Sequence, residues 1–151
     1  MPFLRQIPGW QKARVLDVGC GAGSFLYALR EFGMRDLLGV DPFNEADMEY
    51  RNGLLIQKRE VFDVDGLWDI VTFHHSFEHI PDPVLTLKAV SGLLADGGLC
   101  VIRMPMVPSY AWDHYGVNWV QLDAPRHFFI HSTKSLSLVA QGGHGHREGD
   151  P

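Results

Sequence analysis

Apolar positions along the chain fall into two repeating patterns. Short runs are almost wholly apolar: Arg14 to Val18, Leu37 to Val40, Leu54 to Gln57, Trp68 to Phe73 and Leu99 to Arg103. Runs of that length, rich in Val, Ile and Leu, predict strands buried on both faces. Between them the spacing becomes helical. Phe25, Leu26, Leu29 and Phe32 recur along a helix expected from Ser24 to Phe32, with Gly33 as its stop. A short helix is expected over Asn44 to Arg51. Asp82-Pro83 reads as an N-cap followed by proline at the first helical position. Val84, Leu85, Leu87, Val90, Leu93 and Leu94 then give that helix a broad apolar face, closed by Asp96-Gly97-Gly98. A last helix begins at Ser132 or Thr133 and runs to Ala140. The alternation predicts an α/β fold, a mainly parallel sheet of about five strands with helices on both faces. Residues 1–140 form one domain. Residues 141–151 contain no large apolar side chain and are expected to be a disordered polar tail.

The first strand leads directly into chemistry. Asp17 is followed by Gly19, Gly21 and Gly23, and a helix begins at Ser24. Strand, glycine turn and helix make a corner where backbone can approach a ligand closely. A dinucleotide fingerprint would need glycine at position 24, which is Ser. An acid and three glycines also occur in ordinary strand–helix turns. Asp17-x-Gly19-x-Gly21-x-Gly23 closely resembles the first motif of the S-adenosylmethionine (SAM)-dependent methyltransferases with a Rossmann-like sheet.

The resemblance covers residues 14 to about 140 and implies a set of roles. Gly19 and Gly21, with Cys20 between them, would face the cofactor, and Gly23 would serve helix–strand packing. Asp17 would lie near the methionine amino group or hold the turn. Asp41, which with Pro42 ends the second strand, would accept the ribose hydroxyls. Asp63 would meet the adenine, with Phe62 as an apolar wall and Glu60 behind it. His74 would pass the methionine end. The family continues after its last helix into two more strands, an antiparallel hairpin that residues 141–151 are not expected to form. An uncovered sheet edge is therefore expected, and a homodimer through it is one way to cover it.

A second informative stretch runs Phe73-His74-His75-Ser76-Phe77-Glu78-His79-Ile80-Pro81-Asp82-Pro83. His75-x-x-Glu78-His79 formally matches an inverted zinc-protease pattern, but that motif needs a helix, and two prolines follow too soon. Phe77 to Pro83 closely resembles the loop after the fourth strand in small-molecule SAM methyltransferases. Some relatives hold a divalent cation there with a Glu-x-x-Glu-His variant. Position 75 is His, so no metal is assigned, and binding by His75, Glu78 and His79 stays open. His79 is a candidate base or a loop hydrogen-bonding group. Residues 105–131 are long, aromatic and aperiodic, as suits a lid. Leu122 to Phe129 resembles a segment of one broad branch of these enzymes. Arg126, His127 and Tyr115 are the expected acceptor-side residues, with His127, His79 and His74 as candidates for proton handling.

Composition narrows the partners. Formal charge is −5 with no Lys/Arg cluster, which argues against a nucleic-acid backbone. Cys20 and Cys100 lack the spacing of a zinc or disulfide framework. No apolar run approaches the roughly 20 residues that span a bilayer. The N-terminus has no signal-peptide pattern. The expected protein is a cytoplasmic SAM-dependent methyltransferase acting on a small molecule. A SAM-binding module without turnover is the alternative.

Overall fold

The computed structural model describes residues 9–143. Strands β1 (Val15–Val18), β2 (Leu37–Val40), β3 (Met48–Glu49), β4 (Leu55–Gln57), β5 (Trp68–His74) and β6 (Leu94–Arg103) form one sheet in the order β3-β4-β2-β1-β5-β6. Every pairing is parallel except β3 with β4. Helices α1 (Ser24–Glu31), α2 (Pro83–Leu93), α3 (Tyr110–Tyr115) and α4 (Thr133–Gly143) complete the described elements.

All four residues of β1 are buried, as a central strand covered on both faces requires. Alternate side chains divide the core in two. Leu16, Val18, Val71 and Phe73 join Leu87, Val90 and Leu93 of α2 on one face. Val15, Ile70 and Ile56 join Leu26 and Leu29 of α1 on the other. The expected α/β sandwich is therefore present. The Asp82 carboxylate accepts the Leu85 N–H at 2.9 Å, with Pro83 opening α2. Arg14 lays its guanidinium over Trp68, 5.0 Å from the ring centre, at the start of β1.

Three expectations need correction. Asn44 to Arg51 is not a helix. It carries the two-residue strand β3, making six strands rather than five, and its polar side chains bond elsewhere. The Asp47 carboxylate accepts the Lys58 N–H at 2.7 Å, and the Tyr50 hydroxyl reaches the Ala22 carbonyl at 2.6 Å. Helix α2 stops at Leu93, before the Asp96-Gly97-Gly98 turn. That turn instead forms an irregularity in β6, where the register shifts between Trp68 and Ile70. Finally, α4 runs to Gly143, three residues into the expected tail; a Gly143 side chain would strike Leu87 of α2. Residues 1–8 and 144–151, which include the expected leaderless N-terminus and most of that tail, lie outside the described residues.

β6 is the outer strand on its side, and Leu99 and Cys100 on it are exposed. Beside it, α2, β6 and α4 enclose an apolar hollow of about 360 Å³ lined by Leu87, Val90, Leu94, Ile102 and Leu136.

Candidate active site

The strand order reverses between β1 and β5: the chain first winds outward through β2 and β4, then returns beside β1. Ligands in such sheets sit beyond the carboxyl ends of the strands at that reversal. Gly19, Asp41 and His75 follow β1, β2 and β5 there.

The glycine corner is built by long-range hydrogen bonds. Gly21 donates its N–H to Asp41 Oδ2 at 2.8 Å, and Phe43 donates to Asp41 Oδ1 at 2.9 Å. The Asn44 amide donates to the Gly21 carbonyl at 2.9 Å. Together with Tyr50 on Ala22, the segment after β2 grips the turn at three points. Gly21 has φ +54°, and a Cβ there would meet nothing within 4 Å. Its open side is a cradle of bare backbone. Each oxygen of Asp41 accepts one backbone bond and keeps acceptor capacity for another donor.

The other two glycines differ. A Cβ on Gly19 would lie 2.4 Å from Ser76 Cβ, so the space expected for a ligand is filled by Ser76. The Ser76 hydroxyl in turn donates to the Val18 carbonyl at 2.6 Å. Gly19 can face a ligand only through its backbone. Gly23 packs against Ile56, as expected for helix–strand contact. The Cys20 thiol lies toward Gly39 and donates to the Gly21 carbonyl at 3.6 Å; burial, then the charges of Asp17 and Asp41, push its pKa upward.

Asp17 is 1% exposed and accepts the Thr72 hydroxyl at 2.7 Å. Burial raises its pKa from 3.8 to about 7; the Thr72 bond opposes this and the Asp41 charge adds to it. Between those values the folded protein holds a proton that the unfolded chain has lost. This contribution to stability is full below pH 3.8 and fades as pH rises to about 7. Asp17→Asn removes the dependence. Urea unfolding at about pH 5 and about pH 8 should show the wild type losing of the order of 2–3 kcal/mol more than the variant. Equal losses would contradict the buried acid.

His74 stacks on Phe25 with ring centres 4.0 Å apart, and its Nε2 is buried without a partner. Burial, then the charges of Arg103 and His75, lower its pKa, so the ring is neutral near pH 7. Phe62 and Asp63 are exposed on a short 3₁₀ turn anchored by buried Val61, in the loop after β4. Pro42 is half-buried, and the following Phe43, which sequence reasoning passed over, is 91% exposed.

On the acceptor side, two distant segments meet. Phe128 donates its N–H to the Glu78 carbonyl at 2.9 Å, and His79 Nδ1 lies 2.9 Å from the Arg126 carbonyl. The His79 and His127 rings meet edge to face, centres 4.7 Å apart. Arg126 does not stand free for a substrate: its guanidinium bonds Asp123 Oδ1 at 3.1 and 2.6 Å. That pairing holds the Asp123 carboxyl below its usual pKa. Tyr115 rests edge-on against His114 at the end of α3, and no ring contact ties it to His127 among the described residues. Ser76 carried no local sequence signal, because its partners Val18 and Gly19 arrive from another segment, whereas Asp123 is held locally by Arg126 and His127, three and four residues on.

The chain matches the methyltransferase-domain family over residues 3–142. It is 31% identical to a ubiquinone biosynthesis O-methyltransferase of Bordetella avium, across 93% of this chain and 64% of that protein. It is 30% identical to the same-named protein of Colwellia psychrerythraea, across 60% of this chain and 41% of that one. The chain thus spans between about two fifths and two thirds of these curated relatives. A SAM-dependent methyltransferase structure from Archaeoglobus fulgidus superposes with a TM-score of 0.69 at 24% identity, covering 95% of this chain and 66% of that one. Magnesium protoporphyrin IX methyltransferase from Synechocystis, solved with S-adenosylhomocysteine, gives 0.69 at 14% identity, covering 94% and 68%. Sheet, glycine corner and family match agree, and the chain belongs to the methyltransferase-domain family.

Proposed function

We propose that the domain binds SAM over the Gly21 cradle and transfers its methyl group to a small-molecule acceptor. The observation that carries this is the open face of Gly21 beside a carboxylate with spare acceptor capacity. Asp41 takes the ribose hydroxyls. Asp17 faces the methionine amino group, Gly19, Cys20 and Gly21 supply backbone, and Pro42, Phe62, Asp63 and His74 complete the cofactor's surroundings. Phe43 and Phe62 are exposed rings on the loops after neighbouring strands, and suit the two faces of an adenine.

When bound, the sulfonium supplies an activated methyl carbon and a good neutral leaving group. The chain's own contribution is alignment, worth roughly 7–11 kcal/mol when donor and acceptor are held in line. The 3₁₀ turn at Phe77–His79 and the loop at residues 123–129 are tied together, and so form one wall for the acceptor. His127, whose side chain is only 5% exposed, and His79 are the groups there able to take a proton from a protonated nucleophile. The Arg126–Asp123 pair shapes the loop, and Tyr115, at the end of α3, is the third residue read on the acceptor side. The names of the relatives favour an oxygen acceptor.

No described helix is long and apolar enough to cross a membrane. We place the domain in the cytoplasm, with no nucleic-acid partner, and pair two copies through the exposed edge of β6; sedimentation velocity reads the dimer. The functional test is release of label from methyl-labelled SAM over a panel of small hydroxylated acceptors. Turnover is expected, with His127→Ala reducing it at least tenfold while SAM affinity changes less than about threefold. Binding without release on any acceptor would support the non-catalytic module, and no binding would overturn the reading.

A further inference from the structure

Two arginines stand near the carboxyl ends of β5 and β6. Arg126 lies in the loop tied to the turn after β5, and Asp123 holds its guanidinium. Arg103 is the last residue of β6 and is exposed. No ion pair among the described residues uses it, and its guanidinium donates no hydrogen bond to a described residue. Arg14, Arg30 and Arg59 are engaged elsewhere, on the Trp68 ring and on backbone carbonyls. Arg103 is therefore the cation at this end of the sheet whose donors remain open among the described residues.

Strand register fixes where that cation stands. Arg103 is paired with His74, as Val101 is with Thr72 and Thr72 with Asp17. Partners across a parallel ladder share a face, and side chains alternate along each strand. Asp17, Thr72, His74, Val101 and Arg103 therefore lie on one face, the side of α1, where Phe25 stacks on His74. β6 is two strands from β1, about 10 Å away at the usual strand spacing, with His74 on the strand between them. Arg103 thus stands past the residue that borders the cofactor's methionine end, where residues 105–131 leave the sheet. Its charge reaches His74: after burial, it is the next cause of that ring's lowered pKa. The rest of β6 on this face is apolar, with Val101 half-buried and Leu99 exposed.

We propose that Arg103 determines acceptor specificity by binding a carboxylate or phosphate group on the methyl acceptor, which makes the substrate class an anion with an apolar body. The assignment rests on the methyltransferase reading and names the substrate class for it. A guanidinium presents paired N–H donors that match two oxygens of a carboxylate or phosphate. Glu78, the acid of the adjoining turn, does not take those donors, because it faces His75 at 3.6 Å. The chain as a whole carries a formal charge of −5 and repels an anion, so a local cation is what admits one. Arg103 holds the acceptor by its charged group and moves no proton.

The test uses the full chain saturated with S-adenosylhomocysteine, so that the cofactor's own carboxylate is already in place. Hydroxyphenylacetate and phenyl phosphate are the anionic probes, and hydroxyphenylacetamide and phenol are their neutral counterparts. Ligand-observed NMR titration at low ionic strength reads the affinities. At least one anion is expected to bind about tenfold or more tightly than its neutral counterpart. Arg103→Gln should reduce that preference to within about twofold, and Arg103→Lys should keep part of it. Affinity for S-adenosylhomocysteine, measured separately by calorimetry, should change less than about twofold in both variants. Melting confirms that they are folded. Three results would overturn the assignment: no preference for either anion, a preference unchanged in Arg103→Gln, or a matching loss of S-adenosylhomocysteine affinity, which would give the guanidinium to the cofactor. Failure of the wild type to bind S-adenosylhomocysteine is a separate result, and it would remove the methyltransferase reading and this assignment with it.

Discussion

Gly21→Ala is expected to weaken binding of SAM and of S-adenosylhomocysteine about a hundredfold or more while the domain stays folded. The reason lies in the open side of the residue. A methyl group there touches no protein atom within 4 Å, so packing is unaffected. The left-handed backbone adds a strain of roughly 1 kcal/mol, which a domain of this size tolerates. What the methyl does occupy is the space the cofactor's adenosyl portion needs, next to the Gly21–Asp41 bond. Titration calorimetry measures the loss, and melting confirms the fold. Unchanged affinity would move the cofactor away from this corner.

The second large effect is on stability. Gly39, in the middle of β2, is enclosed from three sides. A Cβ there would stand 2.5 Å from Ile56 Cδ1, 2.6 Å from Cys20 Sγ and 3.1 Å from Leu26 Cδ1. Ile56 and Leu26 are fully buried, so neither swings into solvent. Overpacking of this kind costs about 1–3 kcal/mol, and three crowded neighbours place Gly39→Ala at the upper end. Its midpoint should fall by roughly 10 °C. Ile56→Val removes the nearest of the three atoms. In the double variant the combined loss should therefore be smaller than the sum of the single losses, by about 1 kcal/mol. Strict additivity would show that Ile56 does not crowd the site.

Gly39 also illustrates what the sequence could and could not disclose. It sits inside an apolar run that reads correctly as a strand, yet nothing local marks it as a contact point for a helix and a neighbouring strand. Elements with their own signals were legible. The alternating runs gave β1, β2 and β5 to within a residue, and Asp82-Pro83 gave the start of α2, because capping and strand burial are set by neighbours along the chain. The Asp41 position was legible too, through the spacing of strand ends. Asn44 to Arg51 failed for the opposite reason. Asn44 and Tyr50 are held by carbonyls of the glycine turn more than twenty residues away, and those bonds outweigh a weak helical period. Gly19 was assigned to a ligand although Ser76 fills its space, a contact 57 positions apart in sequence. Arg126 is expected on the acceptor side, yet its guanidinium is taken by Asp123, three residues earlier within one turn. The meeting of His79 and His127 depends on the fold of the 123–129 loop, which has no period to read.

The account depends on the adenosyl group lying across the bare turn with its ribose on Asp41. A crystal structure of the protein grown with S-adenosylhomocysteine tests this most directly. Density for the ribose hydroxyls within hydrogen-bond distance of the Asp41 carboxylate, with the chain passing over Gly21, is the expected result. An adenosyl group bound elsewhere on the sheet, with Asp41 bonded only to Gly21 and Phe43, would contradict it.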